Sequence, residues 1–286
     1  MKKMTYVAAL ALAMGTVACG GQKKQSAEPA AVVEEAPKGP AYTVVEKPQT
    51  DLSKFKVDKD GYIVLFDGTS LEGWRGYGKD HVPARWSIED GCLKFSGSGG
   101  GEAQTGEGGD IIYAAQKFKN FELELEWKIS KGGNSGIFFL AQEVKNDKGG
   151  YEPIYVSAPE CQVLDNENHP DAKLGKDGNR MSSSLYDMIP AKPQNAKPAG
   201  EWNKVKIMCY KGTVVHFQND EAVVEYHLWT DQWREMIDNS KFSKEKWPVA
   251  YELLTNVGGE NHEGYIGFQD HGDDVWFRNI KVKVLD

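Results

Sequence analysis

The sequence predicts an all-β protein built as a jelly-roll sandwich of two packed antiparallel sheets, and three observations carry the prediction. In "FELELEWKI", Phe121, Leu123, Leu125, Trp127 and Ile129 alternate with Glu122, Glu124, Glu126 and Lys128. This period of two marks a strand with one face in a core and the other in water. Similar short runs recur between Gly-rich turns: "GYIVLF", "CLKFSG", "SGIFFLAQEV", "ECQVLD", "WNKVKIMCY", "TVVHFQND", "EAVVEYHL", "YIGFQD" and "VWFRNIKVKVL". Only "TDQWREMIDNSKFSKEKW" breaks the rhythm, with Trp233, Met236 and Ile237 at i, i+3 and i+4 and Thr230 or Asp231 as cap. Many strands and one short inserted helix favour sheet packed on sheet.

The elements follow in chain order. "MKKMTYVAALALAMGTVACGG" has two lysines, a short apolar run and small residues ending at Cys19, the layout of a secretory signal over residues 1–18. The run is too short to span a bilayer. Its "TVAC" ending resembles a bacterial lipobox, which implies lipidation of Cys19 and attachment to a cell-envelope membrane, facing the periplasm. Residues 19–50 are rich in Ala, Pro, Glu and Lys, so they read as a flexible tether. The folded domain is then expected over residues 55–286. The remaining cysteines, Cys92, Cys161 and Cys209, sit in strand-like runs with no zinc spacing and read as buried free thiols. The Gly-rich "GEAQTGEGGDIIY" lacks the strand-to-helix setting of a phosphate loop, which argues against nucleotide binding. A Pro-rich loop, "SLYDMIPAKPQNAKPAGEW", is expected along one rim, and "GYIGFQDHGDDVWFRNIKVKVLD" reads as a closing hairpin with a polar turn.

A composition of 40% hydrophobic residues supports a real core, and a net charge of -8 argues against phosphate-neutralising partners such as nucleic acid. No coiled-coil seam is visible, and oligomeric state stays open.

Five motifs in order, "LFDGTSLEGW", "FELELEWKISKGGNSGIFF", "ECQVLDNENHPDA", "AGEWNKVKI" and "GFQDHGDDVWFRNI", resemble the 3-keto-disaccharide hydrolase family, also described as 3-keto-glucoside 1,2-lyase and 3-keto-2-hydroxy-glucal hydratase domains. The resemblance implies a concanavalin A-like jelly roll with a carbohydrate substrate on its concave sheet. It also implies cleavage of 3-keto-glycosides by elimination, hydration or both. A ketone at C3 acidifies the C2 proton, so such a site needs a base near C2, donors facing the C3 oxygen and an acid for the departing oxygen.

Parity places candidates for these roles. In "ECQVLD", Cys161 and Val163 are expected in the core, which leaves Glu160 and Gln162 on the open face. The same reasoning puts Gln269 and His271 together opposite Ile266 and Phe268. Glu160 and His271 are therefore the catalytic candidates, and Asn134, Gln162, Asp165, Gln269, Arg278, Glu126 and Trp233 the substrate-binding candidates. Arg278 falls by parity beside Trp276 and Ile280, as an ion-pair partner, for instance of Asp270, or as an enolate stabiliser. The runs "QDHGDD" and "DNENHPD" leave room for a divalent cation but show no recognised ligand spacing, so no metal is assigned and the cofactor stays open. Where many family members carry Arg after the "NSGI" strand, this chain has Leu140 and Gln142. Two alternatives remain: a conventional hydrolase pairing Glu160 with Glu126 or Asp165, and a carbohydrate-binding lipoprotein without turnover.

Overall fold

The computed structural model describes residues 41–98 and 107–286. The expected signal segment, Cys19 and most of the tether lie outside the described residues. The strands are, in order, β1 (Tyr42–Val44), β2 (Ile63–Phe66), β3 (Trp74–Gly76), β4 (Trp86–Glu89), β5 (Cys92–Phe95), β6 (Ile111–Tyr113), β7 (Phe121–Ile129) and β8 (Asn134–Ala141). They continue as β9 (Val144–Asn146), β10 (Glu160–Leu164), β11 (Asn203–Tyr210), β12 (Thr213–Gln218) and β13 (Glu221–His227). Helices α1 (Asp231–Asp238) and α2 (Pro248–Thr255) precede β14 (Tyr265–Phe268) and β15 (Val275–Val284).

One sheet runs β10-β8-β14-β6-β3, and the other runs β13-β12-β11-β7-β15-β5-β4 with β2 also paired to β15. All strand pairs are antiparallel, and the two sheets form the expected jelly-roll sandwich. The alternation of β7 is realised as read: its five apolar residues are buried, while Glu122, Glu124, Glu126 and Lys128 are half-buried on the outer face. Between the sheets, Phe268 stacks on Phe277 at 4.1 Å between centroids. Cys92, Cys161 and Cys209 are buried free thiols, as expected.

Three features differ from the sequence reading. Tyr42–Val44 pairs with β9, so the folded unit begins ahead of residue 55. The last two strands do not form a hairpin, because β14 pairs with β8 and β6 while β15 pairs with β7, β5 and β2 in the other sheet. The polar turn is thus a crossover between layers. A second helix, α2, follows the one that Thr230 caps by accepting from the Trp233 amide at 3.1 Å; its start at Pro248 uses a residue whose missing N–H costs nothing in a first turn.

Candidate active site

The site is built on the outer face of the five-stranded sheet. Strand β10 pairs with β8 so that Glu160 stands opposite Phe138, Gln162 opposite Gly136 and Leu164 opposite Asn134. Cys161 and Val163 point into the sandwich core, which leaves Glu160, Gln162, Asn134 and Gly136 on the outer side, as parity required. Gln269 extends β14 into the same row, its amide donating to the Gly136 carbonyl at 3.0 Å. Phe138, Ile112, Tyr265 and Ile154 form an apolar cluster over one half of this face. The polar groups fill the other half.

Gly136 is a glycine for a local reason. A Cβ there would stand 2.9 Å from the Glu160 carboxyl carbon and 3.0 Å from its Cγ, so the Glu160 side chain lies directly over this backbone. It therefore leans from its own row toward the next one. Two polar atoms of the floor are buried without a protein partner, the Asn134 carbonyl oxygen and the Gln162 amide nitrogen. A buried polar atom left unpaired costs about 1–3 kcal/mol, so a ligand that brings hydroxyl or carbonyl groups recovers that energy.

Beyond the floor lies a cluster that the sequence reading entered only in part. The His169 and His271 rings meet edge to face at 5.9 Å between centroids. Ligand-type atoms of His169, His271 and Asp273 lie within 4.8 Å of one another. Asp273 Oδ2 accepts from the Asn134 amide at 3.0 Å, which ties the cluster to the end of β8. His169 Nδ1 accepts from the Asp171 amide at 3.1 Å, so the neutral ring carries its proton on Nε2. This tautomer suits proton handling and hydrogen-bond donation better than it suits a cation, which needs the bare Nε2 lone pair. His169 was missed as an individual residue; the available signal was its place before Pro170 and Asp171, where it caps a short 3-10 turn.

Asp165 is placed beside the cluster but serves the loop. Its carboxylate accepts from the Gly132 amide at 2.7 Å, the Asn168 side chain at 2.8 Å and the amides of Glu167 and Asn168. Burial opposes ionisation, but these donors outweigh it and hold the group below the usual carboxylate range. The carboxylate is thereby committed to shaping the loop that carries His169, and it makes a poor substrate ligand or second catalytic acid. Ser135 is likewise committed, donating to the Gln269 carbonyl at 2.9 Å.

The rim loop runs along the free edge of β10: the Tyr186 amide donates to the Glu160 carbonyl at 3.0 Å, and the Gln162 amide to the Ser184 carbonyl at 3.1 Å. The Tyr186 hydroxyl donates to Asp171 at 2.9 Å, and Arg180 binds both Asp171 at 2.9 Å and Asp187 at 2.7 Å. Burial, then the charges of Glu160 and Asp171, push the Tyr186 phenol upward, so it stays a donor. One buttress thus connects the Glu160 end to the histidine end.

Three expected binding residues are elsewhere. Glu126 and Arg278 pair at 2.5 Å on the outer face of the other sheet, with Arg278 also 3.9 Å from the Trp202 ring centroid. Their strands, β7 and β15, belong to the larger sheet, so neither side chain can face the floor that β10, β8 and β14 build. Trp233 is fully buried, with its indole nitrogen donating to the Leu254 carbonyl at 2.7 Å, so it anchors α1 and offers no ring to a sugar. Gln142 spans Lys117 at 3.1 Å and the Glu263 carbonyl.

These observations place the protein among jelly-roll sandwiches that carry a polar functional site on one sheet face. The chain belongs to the 3-keto-alpha-glucoside-1,2-lyase-like domain family, whose pattern it matches over residues 61–283. It is 66% identical, over the whole of both chains, to a Bacteroides thetaiotaomicron protein named 3-keto-disaccharide hydrolase. Two crystal structures from Parabacteroides distasonis, each provisionally described as a glycosyl hydrolase, share its fold at 26% identity. One has a TM-score of 0.63, covering 79% of this chain and 95% of its own, and the other a TM-score of 0.57, covering 78% and 99%.

Proposed function

We propose that this protein cleaves 3-keto-glycosides, keto-disaccharides or keto-glucosides, by elimination followed by hydration. The observation that carries the reading is the buried floor. An unpaired acceptor on the Asn134 side chain and an unpaired donor on Gln162 share one sheet face with Glu160, and Asp273, which accepts from the Asn134 backbone amide, ties the two imidazoles to the end of that floor. Leu164, level with Asn134, is four residues from Glu160, about 13 Å at the rise of a strand, and the lean of Glu160 over Gly136 shortens that by about half.

In this reading Glu160 removes the C2 proton, the C3 oxygen takes up negative charge, and the C1 substituent leaves with its electron pair while His271 supplies its proton. Water then adds across the enone-like product, with the two groups exchanging roles. The conventional two-carboxylate alternative loses support, because Glu126 lies on the other sheet and Asp165 is saturated by loop donors. The binding-module alternative predicts that Glu160→Gln alters affinity alone. The catalytic reading predicts lost turnover with a sugar affinity of the same order.

The test is to incubate the purified protein with a 3-keto-glucoside and with its unoxidised parent, following aglycone release and the absorbance of the conjugated intermediate. Release from the keto substrate alone is expected; release from the parent overturns the reading. We further propose that Cys19 is lipidated and holds the enzyme at a cell-envelope membrane facing the periplasm. Radiolabelled palmitate is then incorporated by the native chain and not by Cys19→Ser.

A further inference from the structure

Resting on the reading of a 3-keto substrate, we propose that His169 is a catalytic residue that acts as a neutral electrophile, donating its Nε2 proton in a hydrogen bond to the C3 oxygen as that oxygen becomes an enolate. One ring nitrogen of His169 is already engaged by the main chain. Nδ1 accepts a hydrogen bond from the backbone N–H of Asp171 at 3.1 Å. A backbone amide has no lone pair to offer in return. An imidazolium would turn a second N–H toward that donor, so protonation of this ring requires the cap to break. The neutral form is therefore enforced by the main chain, and in it the remaining nitrogen must be an N–H.

That N–H belongs to a half-buried ring packed against His271 and grouped with Asp273, whose carboxylate also accepts from the Asn134 backbone amide. The groups facing it are His271 and Asp273 from the crossover, Asp171 from its own turn and Asp165 from the end of β10. Burial, then His271, pull the imidazole below its ordinary value against the three carboxylates. A neutral imidazole matches a carbonyl better in proton affinity than an imidazolium does, and it polarises the carbonyl without surrendering its proton.

The atoms balance without any further reactant. The electron pair of the C2–H bond forms the C2–C3 double bond as the proton passes to Glu160, and the C3–O π pair moves to oxygen. His169 stabilises that oxygen and keeps its own proton throughout. Collapse of the enolate then expels the C1 oxygen, which takes a proton from His271. This division of labour gives the two histidines different jobs: His271 exchanges a proton and His169 does not.

The test uses His169→Asn, whose side-chain oxygen can still cap the turn by accepting from the Asp171 amide but which offers no donor at the Nε2 position. With 4-nitrophenyl 3-keto-glucoside in deuterated water, aglycone release and deuterium uptake at C2 are both expected to fall about 100- to 1,000-fold, the loss typical of removing one oxyanion donor. In the native protein, imidazole nitrogen resonances of His169 are expected to report a single neutral Nε2–H form at neutral pH. The proposal is overturned if the resonances show an imidazolium near neutral pH. It is equally overturned if His169→Asn keeps native rates, or if native activity vanishes on chelation and returns with a divalent cation held at His169 Nε2. Failure of the native protein to act on the keto substrate at all refutes the underlying functional reading instead.

Discussion

Gly136 offers the most direct way to move the proposed base without removing it. In Gly136→Ala the new methyl group would stand 2.9 Å from the Glu160 carboxyl carbon and 3.0 Å from Cγ, with the nearer carboxylate oxygen closer still. Ordinary contact between such atoms begins near 3.4 Å, so the carboxyl carbon must retreat by about 0.5 Å and the oxygen by more. The obstructing atoms belong to the end of a flexible side chain, so the fold yields cheaply. Replacing Gly by Ala in a strand also removes freedom from the unfolded chain, worth roughly 0.4–1 kcal/mol in the opposite direction. Stability is therefore expected to change by less than about 1 kcal/mol. Catalysis responds differently, because a misplacement near 1 Å costs up to about 100-fold. We expect kcat on a 3-keto-glucoside to fall about 10- to 100-fold in Gly136→Ala, with KM changed much less, as measured by steady-state aglycone release alongside a urea titration. Native kcat in a folded Gly136→Ala protein would refute the placement of Glu160 as the base.

Other outcomes follow from the same geometry. Burial of His216, whose Nδ1 meets the Ser183 carbonyl at 2.9 Å, pulls its pKa down to about 4. The folded state holds this ring neutral while the unfolded chain takes up a proton below about 6.5, so its contribution to stability is intact above pH 6.5 and is lost as pH falls toward 4. The loss is about 3 kcal/mol, read as the difference between native and His216→Gln proteins in urea titrations at pH 7 and pH 4. Trp233→Ala is expected to cost about 3–5 kcal/mol in thermal melts, because a fully buried indole and its bond to Leu254 are lost. Glu126→Ala and Arg278→Ala are expected to leave kcat/KM within about twofold of native and to cost no more than about 1 kcal/mol each, as befits a partly exposed pair.

Much of this arrangement was legible before any coordinates, and the failures share a cause. Alternation located β7, and the parity of "ECQVLD" placed Cys161 and Val163 inside and Glu160 and Gln162 outside, because each strand is regular over the residues involved. Parity placed Arg278 beside Trp276 correctly and misled at Ile280, where one extra residue resets the count, with Asn279 at φ 53°. The closing hairpin was misread because pairing partners of a strand are long-range facts: "YIGF" and "VWFRNI" are neighbours in sequence but belong to different layers. Trp233 illustrates a further ambiguity, since an apolar helical stripe looks the same whether its aromatic residue meets a core or a ligand. His169 carried a local cue, a side chain able to cap the turn that begins at Pro170, yet its partnership with His271 depends on two segments about a hundred residues apart.

The last strand has a consequence for how the chain is made. β15 occupies the middle of the larger sheet, with β7 on one side and β5 and β2 on the other. Until residues 275–284 leave the ribosome, the early and late portions of that layer have no seam between them, and hydrophobic rows on both stay uncovered. A nascent chain of this design cannot lock prematurely. The same design makes the gene intolerant of late stop codons, since trimming ten residues from the end removes a keystone and not a fringe.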